Sequence, residues 1–215
     1  MLSNHTLLMI ADVLVDNVID YYGNGDYIKP FCSKEIADCV IQHAAAAGVS
    51  AMAAGILPGA GSLIAAGIGA GAIWAMYIRI CKIIKMKFEK NRLKVLSSAV
   101  LTNLVTQLAG VFAIEVAASF IPGAGIVACG AGNFAIVYIA GIIFLQTLTK
   151  MFRVMRNDIE DVDDEEWITS IKESIKRMDK KALFREAKNV FMDMRKSGDL
   201  EQTGKTVDIR PEDDV

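Results

Sequence analysis

The sequence has 215 residues, enough for one domain with appendages. Hydrophobic residues make up 53% of it, above the ~45–50% usual for soluble domains. The formal net charge of −2 conceals strong segregation. Residues 39–78 hold no Asp, Glu, Lys or Arg, and residues 95–149 hold only Glu115. The four cysteines, Cys32, Cys39, Cys81 and Cys129, form no close pair, and no basic leader precedes the first apolar residues. Both facts argue against a secreted disulfide framework and for reduced, buried thiols.

The first predicted element is an amphipathic helix over residues 4–20, within an N-terminal segment 1–30. Leu7, Ile10, Leu14 and Val18 recur at helical spacing, and Asp12, Asp16 and Asp20 line another face. That acidic stripe reads as a solvated face. Gly23-Asn24-Gly25 ends the helix. Pro30 and Ser33 then open a second one, with Ser33 as its expected N-cap.

Residues 31–155 form the hydrophobic region. The second helix runs to Pro58-Gly59-Ala60-Gly61, where a lost donor and a freed backbone break it. A further apolar helix passes Trp74 and Tyr77 into a basic run. The plan repeats: a helix from about Val95 reaches Pro122-Gly123-Ala124-Gly125, and another apolar helix runs to about Met155. The two prolines are 64 residues apart, each behind a large apolar pair, Ile56-Leu57 and Phe120-Ile121. The pattern predicts an all-α fold. It consists of two duplicated antiparallel hairpins, with the tips Pro58, Gly59, Gly61 and Pro122, Gly123, Gly125 at one end. Strands are a poor alternative, since the blocks are Ala-rich and do not alternate.

The four arms, 39–57, 60–78, 95–121 and 126–149, each reach the ~20 residues that cross a bilayer. Charge gathers at their base. Arg79, Lys82, Lys85, Lys87, Lys90, Arg92 and Lys94 separate the two blocks, opposed only by Glu89. Such a run suits a cytoplasmic membrane surface. Its interleaved Ile83, Ile84, Met86 and Phe88 favour lipid over nucleic acid. Gly67 and Gly71 form a small-xxx-small pair that lets helices approach closely, and they point to a homo-oligomer. Gly55 and Gly59 have the same spacing. Glu115 is the one acid inside an apolar arm. Counting from the tips places it level with Asn133, as an intramembrane polar pair or a lumen-facing group. The same count sets His43 level with Tyr77.

Residues 156–198 change character. Trp167, Ile168, Ile171, Ile175 and Met178 mark one amphipathic face. Leu183, Phe184, Ala187, Val190, Phe191 and Met194 mark a second, closing at Ser197-Gly198. Residues 199–215 are acidic, poor in large apolar groups and expected to be disordered.

No constellation carries catalysis, and neither cofactor nor metal is expected. Gly59-Ala60-Gly61-Ser62 and Gly67-Ile68-Gly69-Ala70-Gly71 lack the Lys that a phosphate loop needs. His5 and His43 are the only histidines, with no ligand spacing around them.

Over residues 36–150 the chain resembles the uncharacterised GTPase-associated hydrophobic helical domain of bacteria. The matching stretches are Ala44 to Ile80, around ILPGAGSLI with its Trp74-to-Ile80 exit, and Ala117 to Gly141, ASFIPGAGIVACGAGNFAIVYIAG. The resemblance implies a membrane-linked helical domain that works with a GTPase. It places the chain at a bacterial inner membrane with its charged segments in the cytoplasm. This chain carries no GTPase domain of its own. The expected function is a non-catalytic membrane anchor or interaction module whose partners are lipid, a GTPase and further copies of itself, and not nucleic acid. A pore-forming effector and a soluble helical bundle are the rival readings.

Overall fold

A computed structural model of the chain describes residues 5–23, 32–54, 61–86, 90–119, 124–154 and 162–208. All the regular structure among them is helical: α1 (His5–Tyr22), α2 (Cys32–Ala54), α3 (Gly61–Ile83), α4 (Lys90–Ser119), α5 (Ala124–Val154), α6 (Asp164–Arg177), α7 (Lys180–Ser197) and α8 (Asp199–Gly204). Ser33 lies inside the first turn of α2, so it does not act as the cap expected of it.

The molecule is organised around α5. Every residue from 130 to 145 is buried. A helix that is apolar all round has no solvent face and must be enclosed. Here α1, α2, α3, α4, α6 and α7 all pack against it. Small residues set how close they come. A Cβ added to Gly130 would lie 3.0 Å from the Gly48 carbonyl oxygen, and one added to Gly141 would lie 2.6 Å from Val40. These contacts, 48 with 130 and 40 with 141, run α2 antiparallel to α5. On another side, Gly69 approaches Asn133, and the Tyr77 hydroxyl donates to the Ala140 carbonyl at 3.0 Å. So α3 runs parallel to α5. The Tyr77 ring stacks on Phe144 with centroids 3.9 Å apart.

The polar-faced helices close the other sides. In α6 the buried residues are Trp167, Ser170, Ile171 and Ile175; in α7 they are Phe184, Ala187, Val190, Phe191 and Met194. Asp163 caps α6 by accepting from the Glu166 amide at 2.8 Å, and Asp179 caps α7 by accepting from Ala182 at 3.0 Å. Gly198, at φ 82°, closes α7 in the left-handed conformation that glycine tolerates. Among the described residues, two half-buried ion pairs sit on this side, Arg92–Asp164 at 2.8 Å and Lys150–Glu173 at 2.7 Å. The Lys150 ammonium, by its hydrogen bond and its charge, holds the Glu173 carboxyl below the usual carboxylate range. Tyr138 of α5 donates to Glu186 of α7 at 2.9 Å, and Thr6 of α1 reaches the other Glu186 oxygen at 3.4 Å.

Two expectations need correction. Residues 199–208 do not form a free tail. Asp199–Gly204 is helix α8, Leu200 is fully buried, and Gly204 packs against the backbone of Ala45 and Ala46. One leucine and one glycine suffice to dock a stretch whose composition reads as disordered. The N-terminal helix buries Leu7, Ala11, Leu14 and Val18. Its buried stripe runs through Ala11, and Ile10 sits at its edge.

Candidate functional site

Among the described residues, two helices are long and apolar enough to cross a membrane, Cys32–Ala54 and Gly125–Val154. They are also largely enclosed, with 67% and 78% of their apolar windows buried inside the molecule. Apolar length is thus matched by apolar neighbours, as in the core helix of any bundle. The opposite side differs. Along α3, Gly67 is exposed, and Ile68, Gly71, Trp74 and Ile78 are half-buried. This face is uncharged from Gly67 up to Arg79.

Of the small-residue pair, Gly67 makes no close approach to another described part of the chain. A Cβ at Gly67 meets nothing within 4 Å among the described residues. Close approach falls instead to Gly48, Gly69, Gly130 and Gly141, which face α5 or lie on it. Spacing alone marks a small stripe but not the side of the helix on which a neighbour lies.

The expected polar pair of Glu115 and Asn133 lies partly outside the described residues. Asn133 is buried, and its amide donates back to the Cys129 carbonyl of its own helix at 3.2 Å. Its Oδ1 accepts no hydrogen bond among the described residues and lies against Gly69. Glu115 belongs to α4, and its side chain lies outside the described residues. So do the tip residues Pro58, Gly59, Pro122 and Gly123, and Lys87 of the basic run. Of the tip glycines, Gly61 begins α3 and Gly125 is buried in the first turn of α5. His43 and Tyr77 are both buried and partnered elsewhere. His43 Nδ1 lies 2.7 Å from the Cys39 carbonyl oxygen, which fixes the ring as a core group.

The basic run is reshaped by a helix end. Arg79 and Lys82 are exposed on the last turns of α3. Lys85 then adopts φ 56°, and the Met86 amide reaches back to the Cys81 carbonyl at 2.9 Å. This six-to-one closure stops the helix in the usual left-handed way, with lysine where glycine is preferred. Ile84 and Met86 turn inward and are buried. Up to Met86 the run is therefore not one continuous amphipathic helix; Arg79, Lys82 and Lys85 are exposed along it. Lys94, at the start of α4, places its ammonium 5.6 Å from the Trp74 ring centre.

Beside this corner is a feature that sequence reading missed. Lys34, Glu35, Asp38 and Gln42 of α2 and Arg79 of α3 line an open pocket of about 310 Å³. Periodicity gave a partial signal, because residues 35, 38 and 42 share one face of a helix. Nothing in the sequence told which segment would bring Arg79 opposite them.

Comparison of the chain with known protein families, curated proteins and solved structures finds no match.

Proposed function

We propose that the chain is a non-catalytic, membrane-associated helical protein that serves as an anchor or interaction module. The observation that carries this reading is the pair of membrane-competent helices, Cys32–Ala54 and Gly125–Val154. In this reading α2–α3 and α4–α5 are duplicated hairpins turned at the two Pro-Gly-Ala-Gly segments. Support comes from the register of α3 on α5. Gly69 meets Asn133, an offset of 133 − 69 = 64, the same as the spacing of the two prolines.

The membrane-facing side is the uncharged face of α3, since α1, α6 and α7 occupy other sides of α5. Gly67 and Gly71 lie on that face and form the contact for a second copy in lipid. Arg79, Lys82 and Lys85 meet anionic headgroups, each contributing about 1 kcal/mol. The partner implied by the resemblance over residues 36–150 is a GTPase, met on the solvated faces of α6 and α7. Their apolar faces are already used inside the bundle.

Membrane fractionation with an alkaline wash tests the reading. The protein is expected in the pellet. Quantitative release into the supernatant would replace the anchor with a soluble helical bundle.

A further inference from the structure

The bundle leaves an apolar strip uncovered on α1. Leu8, Met9 and Val13 are 37%, 53% and 47% exposed, three of the five large apolar residues exposed among the described residues. Met9 and Val13 are one helical turn apart, so they form a strip rather than isolated side chains. Asp12, Asp16 and Asp20 run beside it, all exposed and each four residues from the next. The helix holds no Lys or Arg to interleave with them. Like charges at that spacing repel, and Asp20 stands near the C-terminal end, where the helix dipole disfavours an acid. No cation of the same helix offsets either cost. By contrast, α6 places Asp164, Glu165 and Glu166 in its first turn and Lys176 and Arg177 in its last.

The complementary surface is on the same chain. On the solvent side of α7, exposed Lys188, Arg195 and Lys196 surround half-buried Met192, four residues before it and three and four after. Of the two acids of α7, Glu186 is turned inward to Tyr138, and Asp193 is about a quarter-turn round the helix from Met192. The two helices share one side of α5. Thr6 at the start of α1 and the Tyr138 hydroxyl both reach Glu186. From there α1 runs toward Phe152, which Tyr21 meets with ring centroids 5.2 Å apart. The chain of α7 continues the other way, toward Phe134, which Phe191 meets at 5.7 Å. The acidic strip therefore occupies one half of this side and the basic strip the other.

We infer that this side joins two copies of the chain, the acidic strip of each lying against the basic strip of the other. A two-fold axis beside Glu186 exchanges the two halves, so both strips are matched twice and the contact closes. Met9 and Val13 against Met192 supply apolar contact. The flanking charges set the register and reject an approach of like strips. The contact forms between solvated faces, so it rests neither on the membrane reading nor on the contact proposed at Gly67 and Gly71. It leaves α6 open to a further partner.

The test sizes the full chain by sedimentation in a neutral detergent. One variant reverses the acids: Asp12→Lys, Asp16→Lys and Asp20→Lys together. The other reverses the cations: Lys188→Glu, Arg195→Glu and Lys196→Glu together. Each alone sets like charge against like and should fall to half the wild-type mass, its self-affinity weakened at least about a hundredfold. Mixed in equal amounts, the two should regain the wild-type mass, because each then offers the charge that the other needs. Circular dichroism melts confirm that both variants fold. A wild type at monomer mass, a folded variant that keeps the wild-type mass, or a mixture that stays dissociated overturns the proposal. Carbodiimide coupling of the wild type decides the matter without any variant. In a mixture of chains with light and heavy nitrogen, amide cross-links from the α1 aspartates to Lys188 or Lys196 should join light peptides to heavy ones. No such cross-link, or only pairs of one isotope, overturns the proposal.

Discussion

Lys85 is the clearest single-residue anomaly. Its φ of 56° places a side chain where a Cβ crowds the following carbonyl, at roughly 1–2 kcal/mol. The closure it permits buries Ile84 and Met86, which offsets that strain. Lys85→Gly keeps the closure and relieves the crowding, at some cost in backbone entropy. The expected gain is ~0.5–1 kcal/mol, seen as a melting temperature raised by about 1–4 °C. A lowered melting temperature would show that the lysine side chain itself holds the turn. Gly130 presents the opposite case. A Cβ there would lie 2.4 Å from Met52 Cγ and 3.0 Å from a backbone oxygen, and the backbone has nowhere to move. Gly130→Leu should therefore cost more than ~2 kcal/mol or prevent folding. Gly67→Leu with Gly71→Leu should act on assembly, since a Cβ at Gly67 meets nothing within 4 Å among the described residues. Sizing of the double variant in detergent checks this. Unchanged size would count against the assembly face.

At the scale of the element, the sequence was legible where chemistry is local. The apolar stripes of α6 and α7 stood out against charged residues. Gly198 announced the end of α7 because a left-handed cap has few other candidates. It was illegible where the outcome depends on a distant neighbour. Leu200 looks like a lone apolar residue in a polar tail, yet it is fully buried, and Gly204 packs against the backbone of Ala45 and Ala46. The end of α3 was hidden because no glycine marks it. The stripe at Gly67 and Gly71 was easy to see, but spacing could not tell an inward face from an outward one. The pocket at Gln42 needed two helices in register, which no local pattern encodes.

Two substitutions examine how these elements are held. Asp163→Ala removes the α6 cap and should cost about 1 kcal/mol, read by thermal or denaturant unfolding. An unchanged midpoint would mean that solvent satisfies the Glu166 amide equally well. Tyr138→Phe removes the donor that ties α5 to α7 through Glu186, while Thr6 reaches the same carboxylate from α1. The bond has a charged acceptor, so a loss of about 1.5–3 kcal/mol is expected. Glu186→Gln should be much milder, because its amide oxygen still accepts.

For the whole molecule, the central issue is how a chain with two membrane-length helices can enclose both. The apolar surface of α5 is covered by six other helices, and its neighbours α6 and α7 turn charged faces outward. In the orientation proposed above, a bundle closed in this way meets a bilayer without opening through its uncharged side along α3. The two tryptophans lie in positions that distinguish the possibilities. Trp74 is half-buried on α3, next to the Lys94 ammonium, an arrangement suited to the headgroup level of a membrane. Trp167 is fully buried on α6, inside the bundle. The variant Trp167→Phe leaves Trp74 as the sole reporter, and Trp74→Phe leaves Trp167. Vesicles made with brominated lipid should quench Trp74 and leave Trp167 at its lipid-free intensity. Quenching of Trp167 would mean that α6 lifts away and exposes α5 to hydrocarbon, which moves the protein toward an inserting, pore-forming mechanism. Failure to quench either, in a sample shown to co-sediment with the vesicles, would place the contact on a side other than α3 and overturn the orientation proposed for the bundle.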